Sequence, residues 1–268
     1  MPYADVGGNV RLFYTDDGSG DGPPLLLVHG WGTDSHQWSW HIDALTAAGY
    51  RVIAADLRGH GYSSVPETGN TPRMMAEDLH ALLDRLGIPR VVAIGHSMGA
   101  QVVSILAVEH PERVRALVVL DPGYGITADI ARGFPRLIEG LRGEDPHAAA
   151  EAIDEWCTNA ATPAVIRRWH KRRLYGMPPH VLAQAFEALF VGPDAIGLRP
   201  ASDDYLARRQ CPVLSIWADP GRADWEAGLL KDPASKIVCW EGSSHRLHEE
   251  RPAEFTLLVG GWLRSLRL

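Results

Sequence analysis

The strongest constraint on the fold of this chain is a regular alternation of short apolar runs and amphipathic stretches. Pro24–Val28 (PLLLV), Val52–Ala55 (VIAA), Val91–Ile94 (VVAI) and Val114–Leu120 (VRALVVL) are rich in Val, Ile and Leu and bounded by Gly, Pro or Asp. Runs of this kind read as strands buried on both faces of a sheet. Between them, Trp38–Ala48, Pro72–Leu86 and Met98–Glu109 carry helical spacing, with Met75, Leu79, Leu82, Leu83 and Leu86 marking one face of the second. Strand and helix in turn imply right-handed crossovers and a mostly parallel sheet flanked by helices, an α/β fold. Val10–Tyr14 (VRLFY) is expected to add an antiparallel edge strand.

The alternation stops after Leu120 and resumes with Val213–Ala218 (VLSIWA), Lys236–Trp240 (KIVCW) and a closing helix around Ala253–Leu266. From Pro122 to about Arg209 the chain reads as helices and loops. Residues 1–121 and 210–268 are therefore expected to form the core, and 122–209 a helical cap over the carboxyl edge of the sheet.

Composition narrows the function classes. A formal charge of -7 over 268 residues argues against nucleic acid as the main partner. The basic clusters Arg167–Arg168 and Lys171–Arg173 are short and read as a solvated helix face. Cys157, Cys211 and Cys239 are too few for a disulfide framework, and Cys211 and Cys239 read as small buried hydrophobes. The polar, glycine-rich start has no signal-peptide pattern, and no apolar run is long enough to span a membrane. A cytoplasmic enzyme with a small-molecule substrate is the expectation, with no membrane and no nucleic-acid partner. Nothing in the sequence marks the oligomeric state.

Gly95-His96-Ser97-Met98-Gly99 matches G-x-S-x-G. A chain of this length meets that pattern by chance about 0.1 times, so context decides. The motif directly follows the strand VVAI and opens the helix Met98–Glu109, the place of a nucleophile elbow. Ser97 would stand in a strained turn where side chains two residues either side would collide. The helix N-terminus would favour the negative charge that develops during attack. His29-Gly30-Trp31-Gly32 follows the strand PLLLV, and a loop there can aim a backbone N–H at an oxyanion. The expected pair of donors is Trp31 and Met98.

The strand–HGWG loop, the segment Asp56-Leu57-Arg58-Gly59-His60-Gly61-Tyr62-Ser63, the GHSMG elbow and the late His245 together resemble the α/β-hydrolase superfamily, in its serine-nucleophile branch. The resemblance covers nearly the whole chain and is weakest across the cap. It implies esterase, lactonase, C–C hydrolase or related chemistry without choosing among them. Asp56 and Arg58 would tie the loop after the second parallel strand.

That fold orders its triad as serine, acid, histidine, with the histidine on the last loop. Of twelve histidines, His245 in Gly242-Ser243-Ser244-His245 stands there. His248 is second, already leading into the helix, and His96 should pack or hydrogen-bond on the other side of the elbow. The acid is open. Many relatives carry it on the loop after VLSIWA, but that frame puts Gly221 at the position, with Asp219 and Asp224 out of register. The other known position is the end of the strand after the elbow, where Asp121 stands. Asp121 is favoured, with Asp219 and Asp224 as alternative acids. An acid on this earlier strand resembles two smaller branches, the fungal zearalenone lactone hydrolases and the cofactor-free ring-cleaving dioxygenases of quinolones. The latter have a histidine directly after the nucleophile, where this chain has Met98.

The leading reading is hydrolysis of an ester or lactone through an acyl-enzyme, with no cofactor and no metal site. Epoxide hydrolase and dehalogenase chemistry is disfavoured, since those relatives use an Asp nucleophile. The alternatives are a cofactor-free oxygenase or C–C bond-cleaving enzyme, with His245 as base, and a ligand-sensing receptor on the same fold. Trp31, Tyr124 and Trp156 are the candidate substrate contacts. With Trp169, Tyr175, Phe186 and Phe190 they suggest an apolar guest, though most of the cap aromatics read equally as the cap's own core.

Overall fold

The apolar runs pair into one sheet of eight strands in the computed structural model, which describes residues 2–268. The strands are β1 (Tyr3–Gly7), β2 (Val10–Asp17), β3 (Pro24–Val28), β4 (Arg51–Ala55), β5 (Val91–His96), β6 (Val114–Leu120), β7 (Val213–Trp217) and β8 (Lys236–Cys239), in the order β1-β2-β4-β3-β5-β6-β7-β8. β2 runs antiparallel to both neighbours, and the six strands from β4 to β8 are mutually parallel. β2 is not the edge: β1, which the polar start of the chain hid, lies outside it.

The helices are α1 (Ser39–Ala47), α2 (Pro72–Arg85), α3 (Met98–Glu109), α4 (Ala128–Ala131), α5 (Phe134–Arg142), α6 (Pro146–Trp156), α7 (Ala164–Gly176), α8 (Pro179–Phe190), α9 (Ala201–Leu206), α10 (Pro220–Ala227), α11 (Leu247–Glu250) and α12 (Pro252–Ser265). Thr71 caps α2 by accepting from Met74 N at 3.3 Å, with Pro72 at its first position.

Burial follows the period of two expected of a strand covered on both faces. Leu26 and Val28 join one core with α2 and α3, whereas Leu25 and Leu27 join the opposite core with α1 and α12. Each such side chain, fully buried, contributes about 1.5–3 kcal/mol. β3 is flanked by β4 on one side and β5 on the other, so α1 and α3 leave the sheet on opposite faces. In open α/β sheets such a reversal, at the carboxyl ends of the strands, is where ligands bind. The HGWG loop and Ser97 sit on the carboxyl ends of β3 and β5.

Helices α4 to α9 lie between β6 and β7, and α5, α6 and α8 close over a separate apolar cluster around Ile138, Leu141, Ile153, Leu182 and Phe186. Cys211 is buried, but Cys239 is exposed, because β8 is the sheet's outer strand. Among the described residues, no helix is long and apolar enough to cross a membrane.

Candidate active site

β5 ends at His96 and α3 begins at Met98, so Ser97 alone makes the turn, at φ 53° and ψ -115°. A non-glycine residue in that region is strained, and the neighbours hold it there. Ser97 N donates to Leu120 O at 3.0 Å, and Ser97 O accepts from Gly123 N at 3.0 Å. The two motif glycines are obligatory for contact reasons. A Cβ on Gly95 would lie 2.3 Å from Gly99 O, and one on Gly99 would lie 2.3 Å from Val28 O. Met98 is the first residue of α3, so its N–H has no intrahelical acceptor.

The HGWG loop is locked against this elbow. His29 Nδ1 donates to Gly30 O at 2.8 Å while Nε2 accepts from Leu57 N at 3.0 Å, which fixes the neutral tautomer. Burial pulls the His29 pKa down to about 4, so the ring stays uncharged at neutral pH. Gly30 N donates to Gln37 Oε1 at 3.0 Å. A Cβ on Gly30 would stand 2.9 Å from His96 Nδ1 and 3.3 Å from Ser97 Cβ, so the backbone passes directly against Ser97. The half-buried Trp31 indole donates to Leu182 O of α8 at 3.0 Å and meets the Phe186 ring edge-on at 5.4 Å.

His245 sits on the loop between β8 and α11, with its Nδ1 hydrogen-bonded to Asp121 Oδ2. Asp121, at the end of β6, is only 5% exposed and has φ 36°. Its N–H donates to Ile216 O at 2.8 Å, and its Oδ1 accepts from Ala218 N at 3.2 Å. Burial pushes the Asp121 carboxyl up. The hydrogen bond and charge of His245, with the Arg222 guanidinium, outweigh it and hold the group below its ordinary value. Arg222 Nη2 donates to Pro122 O at 2.5 Å and Tyr124 O at 2.7 Å, with the guanidinium 4.4 Å over the Trp217 ring. It thereby ties down the turn that carries the acid.

The two alternative acids lie elsewhere. Asp219 caps α10 by accepting from Arg222 N at 2.9 Å, and Asp224 is exposed on that helix. His248 is fully buried against Trp38, His41, His96 and Phe255, and neither ring nitrogen has a partner among the described residues. His96 does hydrogen-bond: Nε2 donates to the His245 carbonyl at 2.8 Å, so it supports the loop of the histidine beside it in space.

One of the three expected substrate contacts is corrected. Tyr124 is fully buried, its hydroxyl donating to Glu226 Oε1 at 2.7 Å and accepting from Arg209 Nη1 at 3.1 Å. It belongs to a structural network in which Glu226 also accepts from Trp217 Nε1 at 2.8 Å and pairs with Arg209 at 2.9 Å. Trp156 ends α6, 69% exposed, two residues after the Asp154 that pairs with Arg246. Trp31 remains beside both the elbow and the helical segment. Asp56 and Arg58 tie their loop as expected: Asp56 accepts from Ser35 N at 2.7 Å and Tyr62 N at 2.8 Å, and Arg58 pairs with Asp78 at 2.5 Å.

Sequence reasoning missed how firmly the His245 loop is bound to the helices between β6 and β7. Arg246, directly after His245, pairs with Asp154 of α6. Glu249 accepts from His170 of α7 at 2.7 Å, and Glu250 accepts from Ser244 N at 3.0 Å and Thr162 Oγ1 at 2.7 Å. Burial pushes the Glu249 carboxyl up, but the His170 charge and hydrogen bond prevail and hold it far below its ordinary value. Helix α6, helix α7 and the histidine loop are therefore bonded to one another.

A family model described as the α/β hydrolase fold matches residues 23–154. A soluble epoxide hydrolase of a Corynebacterium species is 41% identical over 257 residues, covering 91% of this chain and 81% of that protein. The chain belongs to the α/β-hydrolase fold family. The enol-lactonase of Burkholderia xenovorans superposes with a TM-score of 0.83 at 27% identity, covering 98% of this chain and all of that one. Rat bifunctional epoxide hydrolase 2 is 39% identical over 161 residues, 57% of this chain, but the match spans only 29% of that longer protein. Ser97 after β5, Asp121 after β6 and His245 after β8 all project from the same edge of the sheet, since β5 to β8 run parallel.

Proposed function

We propose that this chain is a serine hydrolase that cleaves an ester or lactone of a small, apolar substrate through an acyl-enzyme. The reading rests above all on the hydrogen bond between His245 Nδ1 and the buried Asp121, on the same sheet edge as a positive-φ serine at a strand-to-helix elbow. With Nδ1 committed, Nε2 is the nitrogen left to take the Ser97 proton as Oγ attacks the carbonyl carbon. Asp121 stabilises the imidazolium that forms. The N–H groups of Trp31 and Met98 receive the oxyanion, each such donor being worth about 10²–10³ in kcat. His245 returns the proton to the departing alkoxide. It then deprotonates a water that attacks the acyl carbon, releasing the carboxylic acid and freeing Ser97.

One feature favours this over epoxide opening, despite the epoxide hydrolases among the relatives. The elbow holds serine, where enzymes of that chemistry hold aspartate. An apolar substrate is supported by the half-buried Trp31 beside the Phe134, Phe186 and Phe190 rings, which lie 4.4–5.9 Å from one another.

The test is pre-steady-state hydrolysis of p-nitrophenyl acetate and butyrate. A burst of p-nitrophenol that vanishes in Ser97→Ala is the expected outcome. Turnover that survives Ser97→Ala would overturn the acyl-enzyme and bring forward a base-catalysed, oxygen-dependent reaction at His245.

A further inference from the structure

Far from the elbow, at the other end of α3, two histidines meet on the surface. His80 projects from α2 and His110 closes α3, which places them about 18 Å along the helix from Ser97. Their rings stack with centroids 3.9 Å apart and planes 11° from parallel. Glu112, in the single turn Pro111–Arg113, completes a triad: one donor atom from each of His80, His110 and Glu112 lies within 4.8 Å of the other two. We infer that His80, His110 and Glu112 form a binding site for a divalent transition-metal ion of the zinc class.

The hydrogen bonds around the pair carry the argument. His110 Nε2 donates to Glu77 Oε1 at 2.9 Å, which leaves the Nδ1 lone pair free, and that atom lies 4.0 Å from Glu112 Oε1. A carboxylate holding the far nitrogen of an imidazole is the usual outer partner of a metal-ligating histidine, fixing its tautomer and raising its basicity. His80 Nδ1 has no hydrogen-bond partner among the described residues, and its Nε2 stands 3.8 Å from Asp84 Oδ2. Asp84 is engaged by Arg113 at 3.0 Å, so it is not a free ligand. Local charge is favourable: Glu77, Asp84 and Glu112 surround the rings, with Arg113 the facing cation.

Two imidazoles and one carboxylate suit zinc and its neighbours, whereas magnesium and calcium prefer oxygen alone. Metal–nitrogen bonds of about 2.0–2.1 Å, made along lone pairs in each ring plane, require the donors to draw together by roughly 1 Å and the two rings to tilt out of their stack. Glu112, 65% exposed on its side chain, has the freedom to do so. An ion there would clip α2 to the corner between α3 and β6, adding stability without touching the chemistry at Ser97.

The test is calorimetric titration of the EDTA-treated full chain with ZnCl2, for wild type, His80→Gln, His110→Gln, Glu112→Gln and Glu77→Gln. One ion per chain is expected for wild type, with affinity falling about 10-fold or more in each variant, Glu77→Gln included. At a zinc concentration about 100-fold above Kd, the wild-type Tm should rise by roughly 5 °C and that of His80→Gln/His110→Gln should not. Unchanged zinc binding in that double variant would mean an adventitious ion only and overturn the site, as would no binding in wild type. Cobalt substitution in wild type reads the site without any variant. Intense visible bands of a low-coordinate, histidine-bound ion are expected, and a spectrum identical to aqueous Co²⁺ would overturn the proposal.

Discussion

The backbone N–H of Ala218 donates to Asp121 Oδ1 at 3.2 Å, so the loop after β7 gives the site an amide in place of a carboxylate. The nearest acid on that loop, Asp219, is spent on capping α10. The two candidate acids therefore separate cleanly by mutation. Asp121→Asn is expected to lower kcat on p-nitrophenyl butyrate by about 10³–10⁴-fold, because the amide favours the wrong His245 tautomer. Asp219→Asn should leave kcat within about 2-fold and stability nearly unchanged, since Asn caps a helix as well as Asp. A severe loss in Asp219→Asn, with Asp121→Asn active, would refute the assignment.

Arg222 holds the acid's turn through the carbonyls of Pro122 and Tyr124, at 2.5 Å and 2.7 Å. Arg222→Gln cannot reach both, and an unpaired buried carbonyl costs about 1–3 kcal/mol. A fall in Tm of about 2–4 °C per kcal/mol lost is expected. With the turn loosened, kcat should drop about 10-fold while KM stays within about 3-fold. A KM effect alone would place Arg222 in substrate binding and refute this role.

How much of this was legible in the sequence depends on the range of the contacts. The elbow was legible because its signals are local: an apolar run, two glycines and a helix within about ten residues. The sheet was legible for the same reason, its buried strands being nearly continuous Val, Ile and Leu. β1 was not, because an outer strand with one covered face carries only Ala4 and Val6 as an apolar signal. Nothing in the local sequence marks Arg222, Arg246, Glu226 or Glu249. Their burial depends on partners that are distant in the chain, such as Asp154 for Arg246 and Tyr124 for Glu226. Tyr124 was misread for that reason: an aromatic next to the acid suggests a pocket wall until its hydroxyl is seen to be committed.

Gly30 tests how tightly the HGWG loop is built. Gly30→Ala puts a methyl 2.9 Å from His96 Nδ1 and 3.3 Å from Ser97 Cβ, so loop or elbow must shift. A displacement of about 1 Å at the reacting atoms costs about 100-fold in rate, and kcat should fall by that order. Gly133→Ala is the control, since nothing lies within 4 Å of its added methyl. Equal kinetics for the two variants would show that the loop does not set the site.

The buried histidines make stability depend on pH in a defined window. Burial pulls His29 and His41 down to about 4 and His60 to about 3, against the ordinary 6.5. Between those values and 6.5, the unfolded chain binds protons that the folded chain refuses. Stability is therefore flat above pH 7 for these groups, falls as pH drops through 6.5 and stops falling below their folded pKa. At pH 5 each contributes a loss of up to roughly 2 kcal/mol. Asp56 and Asp78, whose carboxyls burial raises, act in the opposite direction. Urea unfolding between pH 7 and pH 5.5 reads the net slope, and substitution of one buried ring separates its share. His41 lies between Trp38, His248 and Phe255 with neither nitrogen bonded, so His41→Leu should remove about one proton from the measured slope. A slope unchanged by that substitution would mean that the buried rings are not what the acid limb titrates.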